Sequence, residues 1–588
     1  MSGTNLLLKM FLINGTPHMM QAQGRCKMGW KTVSLTVFQV SLFIMFSISV
    51  NPKVTATPSP VDLPKRFKVP FISSSNMIWV PDNYTTIHEA VDAAQPGGVI
   101  YVGNGTYNEK VIISKDNLAI IGENTITTII DGNHTGSTIS IINAENVTVM
   151  GLTIQGAASY PAGGVWLKNC CNVNITGNRL VNNWFCGVRL EDSNDNWICG
   201  NEIYGNTQGI RFERSNGAIV KRNVMRDNAY GILGYFSSPI VVDNIITFNE
   251  YHGISLYYNE GNTIITYNNL SLNGNCGVWV EGKDTTLSHN ILLANQGSGV
   301  GLHKAKNITI SHNTIILNTA CGVYLERSSN STVANNFISD SRDGVFIDSS
   351  SHMLISYNTI TDNKCGIRID ASSHNTIYNN NLVSNTQQAQ CQGSTNILWD
   401  GNYPFGGNYW NNYACTDSFH GVYQDETGSD GIGDAPYTIN TENQDRYPLM
   451  AFITRFDVGT WNKIVYHVSI VSNFTFSSFY FSPNETLLGF HTTGANYTFF
   501  CRVTIPNGLL WCDNIGDWRV MADHASTIPF VMESNHSTCI YFTQTYAETI
   551  QIISTHAVPE FSLIILTLLF LTLTTLSIII VKCEKRKP

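Results

Sequence analysis

Residues 299–325, GVGLHKAKNITISHNTIILNTACGVYL, contain the repeating unit that decides the fold. Gly299 and Gly322 each open a short run in which apolar residues fill alternate positions, as Val300 and Leu302 do. A second alternating run, NITI, lies between them. Alternation with a period of two residues is typical of a β-strand, so each unit is predicted to hold at least two short strands.

The same unit recurs along the chain every 22 to 24 residues. It is marked by Gly164, Gly187, Gly209, Gly231, Gly253, Gly277, Gly299, Gly322, Gly344 and Gly366. A second series with the same step consists of Asn178, Asn201, Asn223, Asn244, Asn268, Asn290, Asn313, Asn336, Asn358 and Asn380. A fixed period of this size indicates a solenoid, and no unit offers ten residues of helical periodicity. The sequence therefore predicts a right-handed parallel β-helix over residues 76–400.

Stacked turns give both series a structural explanation. Equivalent residues lie about 4.8 Å apart, so each Asn amide is expected to bond the next one along the stack. The glycines are expected to supply backbone angles that other residues resist. Thr86 and Glu89 form the pattern of a capping box, which predicts a short helix covering the first turn.

Composition limits the classes of function. The chain has 588 residues with a formal net charge of −9, and no basic stripe interrupts its body. Nucleic-acid binding requires a basic surface, so a nucleic-acid partner is not expected. Aromatic residues reach 11%, which argues against a disordered chain.

Two apolar segments predict export and membrane attachment. Residues 33–50 follow a basic flank and predict an export signal or N-terminal anchor within residues 1–57. Residues 561–581 carry no charge and predict a transmembrane helix, followed by a basic cytoplasmic tail at 582–588. The predicted location is therefore the cell membrane, with one span and an extracellular body. Glycosylation candidates begin at Asn83, Asn104, Asn133, Asn146, Asn174, Asn269, Asn307, Asn330, Asn473, Asn484, Asn496 and Asn535.

The outward positions of the strand after each ladder glycine give the candidate site. Stacking would align one basic and aromatic column beside one acidic and aromatic column. The predicted catalytic residues are Glu281, His303 and Glu326, and the predicted glycan-binding residues are Trp279, Tyr324, Tyr257, Phe346 and Asp348. Aromatic faces stack on sugar rings and carboxylates bond hydroxyl groups, so an extended polysaccharide would fit. A solvated face with aromatic residues placed by chance is the alternative.

Catalysis would use two carboxylates and an imidazole. Glu281 and Glu326 lie two turns apart, about 9.6 Å at the backbone, and inverting glycosidases hold their carboxyl groups roughly 6.5–9.5 Å apart. His303 lies between them and could act as acid or base. Gly301 is expected to leave a gap between Trp279 and Tyr324.

An oxygen-rich loop predicts a metal site. Asp425, Ser429, Asp430 and Asp434 lie among glycines and favour calcium, and an ordered Asp–Gly turn is the alternative.

The cysteines fall into two groups. Cys186, Cys276, Cys321 and Cys365 precede ladder glycines and are expected to be buried thiols. Cys501 is expected to form a disulfide with Cys512, with Cys539 competing.

Several segments resemble known proteins. Residues 84–91 (YTTIHEAV), 96–102 (PGGVIYV) and 105–107 (GTY) resemble the opening of carbohydrate-binding and sugar-hydrolase β-helix domains. The repeats resemble the NosD family of periplasmic copper-binding proteins. Segments 407–410 (GNYW), 430–437 (DGIGDAPY) and 445–450 (DRYPLM) are similar to the closing element of archaeal NosD-like surface proteins, assigned here to residues 401–450. Copper is implied by this resemblance alone, because the sequence shows no His, Met or Cys cluster at ligand spacing.

The remaining region, residues 451–556, has β-rich runs broken by Gly, Pro and Asn, which predict a small β-sandwich-like spacer. The leading hypothesis is a surface-anchored β-helix protein that binds extracellular polysaccharide or envelope glycan, with cleavage by a hydrolase or lyase reaction left open. A non-enzymatic envelope or adhesion protein and a NosD-like copper-handling accessory protein are the alternatives.

Overall fold

The computed structural model describes residues 77–259, 261–493 and 498–558. Its main body is a right-handed parallel β-solenoid of about 14 turns, which confirms the predicted fold. Each turn contributes one short strand to each of three parallel sheets, here called sheets I, II and III.

Sheet I has 14 strands, which are Met77–Val80, Val99–Val102, Ala119–Gly122, Thr148–Met150, Asn174–Thr176, Trp197–Cys199, Ile219–Lys221, Ile240–Val242, Thr263–Thr266, Thr285–Ser288, Thr309–Ser311, Thr332–Ala334, Leu354–Ser356 and Thr376–Tyr378. Sheet II has 13 strands, which are Val111–Ile113, Ile139–Ile142, Gly163–Lys168, Cys186–Glu191, Gln208–Glu213, Tyr230–Tyr235, Ile254–Asn259, Val278–Gly282, Val300–His303, Cys321–Glu326, Asp343–Asp348, Cys365–Asp370 and Gln387–Gln392. Sheet III has 14 strands, which are Gly105–Asn108, Thr128–Asp131, Thr153–Gln155, Arg179–Val181, Glu202–Tyr204, Val224–Arg226, Ile245–Thr247, Asn269–Ser271, Ile291–Leu293, Thr314–Ile316, Phe337–Ser339, Thr359–Thr361, Asn381–Val383 and Tyr409–Trp410.

The interior of the solenoid is a continuous column of aliphatic side chains. In the repeat that opens at Gly299, Val300 and Leu302 from sheet II, Ile310 from sheet I and Ile315 from sheet III are all fully buried. The ladder glycines face this core and have no room for a side chain. A Cβ atom at Gly299 would lie 2.5 Å from Ile315 Cγ2. None of these glycines has a positive φ, so close packing rather than unusual backbone angles requires them, and the expectation from backbone angles was wrong.

Two columns of asparagine stabilise the turns. The predicted column continues to Asn408, and the side-chain amide of each member donates to the amide oxygen of the next at 2.9–3.2 Å, as Asn290 does to Asn313. A parallel column, missed from the sequence, runs five residues later and contains Asn183, Asn206, Asn228, Asn249, Asn273, Asn295 and Asn318. Buried polar groups are almost always hydrogen-bonded. The asparagine side chains bond backbone N–H and C=O groups that would otherwise lack partners at two of the three corners between the sheets.

A short helix, Ile87–Ala93, covers the first turn. The Thr86 hydroxyl accepts a hydrogen bond from the backbone N–H of Glu89, as expected for a helix N-cap. The Glu109 carboxylate accepts from the N–H groups of Ile87 and His88, both at 2.9 Å, and so satisfies two further donors of the first turn.

The last turn is covered by residues 401–450. The buried Asp445 carboxylate accepts from the Asn408 backbone N–H at 2.7 Å, from Trp410 Nε1 at 2.9 Å and from the Tyr447 N–H at 3.0 Å. Two short hairpins lie here, one pairing Phe419–His420 with Glu426–Thr427 and one pairing Tyr437–Thr438 with Gln444–Asp445. The segments that resemble a closing element thus end the asparagine column.

Residues beyond 450 form two five-stranded antiparallel sheets around a shared core. The first sheet has the order Ile453–Trp461, Ile464–Ser472, Phe499–Pro506, Ser537–Gln544 and Phe530–Glu533. The second has the order Thr475–Ser482, Leu487–Thr493, Thr549–Ile553, Arg519–Ala522 and Ala525–Thr527. A 3-10 turn, Ile515–Asp517, and the paired strands Leu510–Trp511 and His556–Ala557 complete this region.

The first of these sheets packs on the closing segment through Arg502, which is 1% exposed. Its guanidinium donates to the carbonyl groups of Pro404 and Asp430. Cys539 lies on this same face, whereas Cys501 faces the shared core. Because alternate residues of a strand face opposite sides, these two thiols cannot meet, and the twelve described cysteines are free. Cys501, Cys512 and Cys539 are all among these free thiols, so the predicted Cys501–Cys512 disulfide and its Cys501–Cys539 alternative were both wrong.

The predicted export or anchor region at 1–57, the span at 561–581 and the tail at 582–588 lie outside the described residues. Within the described part of the chain, no helix is long and apolar enough to cross a membrane.

Candidate functional site

The register of sheet II brings the predicted site residues side by side on its outer face. Trp279 pairs with Gly301, Gly301 with Tyr324, and Tyr324 with Phe346. In the next column His303 pairs with Glu326, and Glu326 with Asp348. We call the group of Trp279, Glu281, His303, Tyr324, Glu326, Phe346 and Asp348 the aromatic–acidic strip.

The local sequence explains why these side chains point outward. Val323 and Leu325 alternate with Tyr324 and Glu326, and the two aliphatic residues are fully buried in the solenoid. Since successive strand residues face opposite sides, burial of the first pair holds the second pair on the surface. The strip is therefore carried by a rigid sheet rather than by a loop.

A histidine and a carboxylate are in direct contact at the centre of the strip. His303 Nδ1 lies 3.1 Å from Glu326 Oε2, and the two side chains are 19% and 25% exposed. The imidazole also stacks on Trp279, with ring centroids 6.1 Å apart and an interplanar angle of 19°. A carboxylate at this distance holds the imidazole ring in one orientation, as in arrangements suited to proton transfer.

The expected gap at Gly301 is not present. The Trp279 indole lies across this glycine, so that a Cβ atom there would be 2.5 Å from Trp279 Cε3. Glycine is needed at position 301 because the indole lies flat against the sheet. The Trp279 indole therefore fills the space beside Gly301, and the prediction of a gap there was wrong.

Tyr324 and Phe346 form the second half of the aromatic column. Their ring centroids are 5.3 Å apart with an interplanar angle of 32°. The Tyr324 hydroxyl donates to Asp348 Oδ2 at 3.4 Å. Burial, followed by the nearby Glu326 carboxylate, raises the pKa of Tyr324 above its usual range, so the hydroxyl remains a donor at neutral pH.

The aromatic surface also extends towards the N-terminal turns. Tyr257, predicted as a glycan-binding residue, stacks on Tyr235 with centroids 5.3 Å apart at 16°. His252 lies between Tyr230, at 6.1 Å, and Trp279, at 5.9 Å. Sequence reasoning missed Tyr230 and His252. They precede ladder glycines, where the recurring cysteines suggested only buried packing.

His252 is expected to make stability depend on pH. Burial lowers its pKa to about 4, and its Nδ1 has no hydrogen-bond partner among the described residues. The unfolded chain, with an ordinary histidine pKa near 6.5, binds this proton first as the pH falls. The free energy of unfolding should therefore decrease from about pH 6.5 to 4, by at most about 1.4 kcal/mol per pH unit from this residue.

Urea unfolding across this pH range measures the effect. His252→Phe keeps an aromatic ring and should show a shallower pH slope, whereas His536→Phe, at an exposed position, should match the original protein. If the free energy of unfolding changes with pH equally in His252→Phe and in the original protein, His252 is not the source of the pH dependence.

The predicted calcium ligands bond the backbone instead of one another. Asp434 accepts from the N–H groups of Ser418 and Phe419 at 3.0 Å, and Ser429 donates to the Asp417 carbonyl at 2.6 Å. Asp430 is fully buried and accepts from the Ile432 N–H at 3.0 Å, while Asp425 is exposed. These contacts are those of an ordered turn.

The fold and the strip define a parallel β-solenoid protein with an aromatic and acidic outer face. The chain belongs to the NosD family. The family model, described as periplasmic copper-binding protein (NosD), matches residues 102–296 and 269–415, which together are more than half of the chain.

Solved structures with similar folds have low sequence identity. The A-module of mannuronan C-5 epimerase AlgE4 from Azotobacter vinelandii is 15% identical, with 53% of this chain and 93% of that chain covered and a TM-score of 0.38. The Dettilon tailspike protein is 12% identical, with 81% and 93% covered and a TM-score of 0.41. Pectin methylesterase PemA from Erwinia chrysanthemi is 14% identical, with 40% and 89% covered and a TM-score of 0.27. Comparison with curated protein sequences gives no match.

The described residues do not fit the copper ion that the family description names. Within residues 77–259, 261–493 and 498–558, no three His, Cys, Asp or Glu side chains are grouped to hold a metal. The pairs His289–His312 and His352–His374 stack with interplanar angles of 4° at 5.0 and 5.2 Å. Each of these stacks brings together two imidazoles, which is fewer than the three protein ligands of a His2Cys copper site.

Proposed function

We propose that this NosD-family protein is a cell-surface-anchored solenoid that binds extracellular polysaccharide along the aromatic–acidic strip. The observation that carries the proposal is the alignment of Trp279, Tyr324 and Phe346 in one column, beside a column of hydrogen-bonding groups. Aromatic rings offer flat apolar faces to the C–H faces of sugars, and carboxylates accept from sugar hydroxyls. Export and anchoring are taken from the apolar segments at residues 33–50 and 561–581.

The dimensions of the strip suit an extended chain of sugars. Trp279 and Phe346 are three turns apart, which corresponds to about 14 Å along the solenoid axis. At one sugar ring per turn, the four turns from Trp279 to Phe346 would accommodate about four sugar rings. A rigid sheet also keeps the aromatic side chains in place before binding, which lowers the entropic cost of association.

Removing one aromatic face should weaken binding strongly. Trp279→Ala is expected to raise the dissociation constant for a bound oligosaccharide about thirtyfold, or about 2 kcal/mol, because a central aromatic contact is lost. Isothermal titration calorimetry with a panel of oligosaccharides measures this. Trp184→Ala is the matched control, since Trp184 is 70% exposed and lies at a corner away from the strip. Unchanged affinity in Trp279→Ala, or equal losses in both variants, would contradict the proposal.

Cleavage of the bound polysaccharide is a second candidate function, favoured by the His303–Glu326 contact at 3.1 Å. The imidazole could take a proton at the reacting centre while Glu326 holds its orientation. Release of new chain ends during incubation would show cleavage. Glu326→Gln should then abolish release and leave oligosaccharide affinity within about threefold. Absence of release with intact binding would leave binding as the function.

A further inference from the structure

The carboxylates of the aromatic–acidic strip lack cationic partners. Among the described residues, no ion pair joins Glu281, Glu326 or Asp348 to a lysine or arginine. Glu326 contacts only the His303 imidazole among possible cations, and Asp348 accepts hydrogen bonds from the Tyr324 and Ser349 hydroxyls. The strip therefore carries three carboxylates that no lysine or arginine side chain in the described part of the chain contacts directly.

The same column is neutralised in the earlier turns. Glu191 and Glu213 both bond Arg189, at 3.0 and 2.8 Å, and Glu213 also contacts Arg211. Burial alone would raise the pKa of Glu213, but hydrogen bonds from these two arginines and their positive charges together outweigh it and lower the pKa. The carboxylates of these earlier turns are therefore paired with arginines, whereas those of the strip are not.

Pairing of a carboxylate with an arginine resumes one turn beyond the other end of the strip. Asp370 pairs with Arg368 at 2.6 Å, and the Arg368 guanidinium lies 4.6 Å from the centroid of the Phe346 ring. The uncompensated carboxylates thus coincide with the turns that carry Trp279, Tyr324 and Phe346. These carboxylates therefore lie beside the rings over which the sugars would bind.

We infer that the strip selects polysaccharides without anionic groups and rejects polyuronates and sulfated glycans, an inference that rests on the proposed function. Carboxylates accept hydrogen bonds from the hydroxyl groups of uncharged sugars. A uronate carboxylate beside Glu281 or Asp348 would lose hydration and meet like charge, which penalises the wrong ligand. The aromatic column supplies attraction for both kinds of sugar, and the acidic column supplies the discrimination.

The test compares neutral hexose oligosaccharides with oligomers of the corresponding uronic acids, matched in length and linkage. For a neutral oligomer that binds, the uronate counterpart should bind at least tenfold more weakly at low salt. Added salt should narrow this ratio, because it screens exposed charges. An amine-bearing oligomer serves as a third ligand and should bind at least as tightly as the neutral one.

The double variant Glu281→Gln/Asp348→Asn should reduce the neutral-to-uronate ratio to about threefold or less, because two negative charges are removed with little change in shape. Glu442→Gln, at an exposed position in the closing segment, should leave the ratio unchanged. Equal or tighter binding of the uronate oligomer, while binding still depends on Trp279, would overturn this inference alone. Absence of binding by every oligosaccharide would instead remove the proposed function.

Discussion

Replacing Asn290 by leucine should lower the free energy of unfolding by about 3–5 kcal/mol, because it breaks the asparagine column in the middle of the solenoid. Asn290 is 1% exposed. Its amide donates to the Ile265 carbonyl at 2.8 Å and to Asn313 Oδ1 at 3.0 Å. Its oxygen accepts from the backbone and side-chain N–H groups of Asn268 at 2.9 and 3.0 Å. Leucine has a similar volume but can make none of these bonds.

Denaturant unfolding, with hydrogen exchange to localise the change, measures this loss. Asn275→Leu is the matched control, because Asn275 is exposed and lies on a neighbouring turn. Each turn of a solenoid contacts only its neighbours, so lost protection should centre on the turns around residue 290. An Asn290→Leu protein as stable as Asn275→Leu would show that the column does not stabilise the fold.

Asp445→Ala should have a comparable effect at the C-terminal end, about 3–5 kcal/mol, since it leaves buried donors without an acceptor. The donors are the N–H groups of Asn408 and Tyr447 and the Trp410 indole. The Asp445 carboxylate also occupies the space beside Gly407 where a Cβ atom would otherwise lie. The last turns of the solenoid should therefore exchange amide hydrogens faster, while turns near Gly164 remain protected.

The control for this variant is Asp425→Ala, which removes an exposed carboxylate from the same closing segment. Thermal unfolding and hydrogen exchange of the two proteins are compared at one pH. If Asp445→Ala unfolds at the same temperature as Asp425→Ala, the closing segment is not held by this carboxylate.

The fold was predictable because its determinants are periodic. The spacing from Gly299 to Gly322 identifies one turn, and alternation at Val323 and Leu325 identifies which side chains face inward. Once turns stack in register, Trp279, Tyr324 and Phe346 must share a column. The second asparagine column could also have been found, because Asn295 and Asn318 repeat the first series five residues later.

Features that depend on the direction of a side chain or on its local partners could not be predicted from the sequence. The Trp279 indole could have pointed away from Gly301, and only its rotamer closes the gap. The thiols of Cys501 and Cys539 lie on opposite faces of adjacent strands, which follows from strand register that composition does not reveal. In the loop at 425–434, oxygen-rich residues suit either a cation or an ordered turn, and the bonds of Asp434 are those of a turn.

A crystal structure of the protein with a bound neutral oligosaccharide would show whether sugars lie on the aromatic–acidic strip. We expect sugar rings over Trp279, Tyr324 and Phe346, with hydroxyl groups bonded to the adjacent acidic column. A ligand found instead in the cavity of about 500 Å³ that Trp184 and Phe248 line, with the strip left bare, would contradict it.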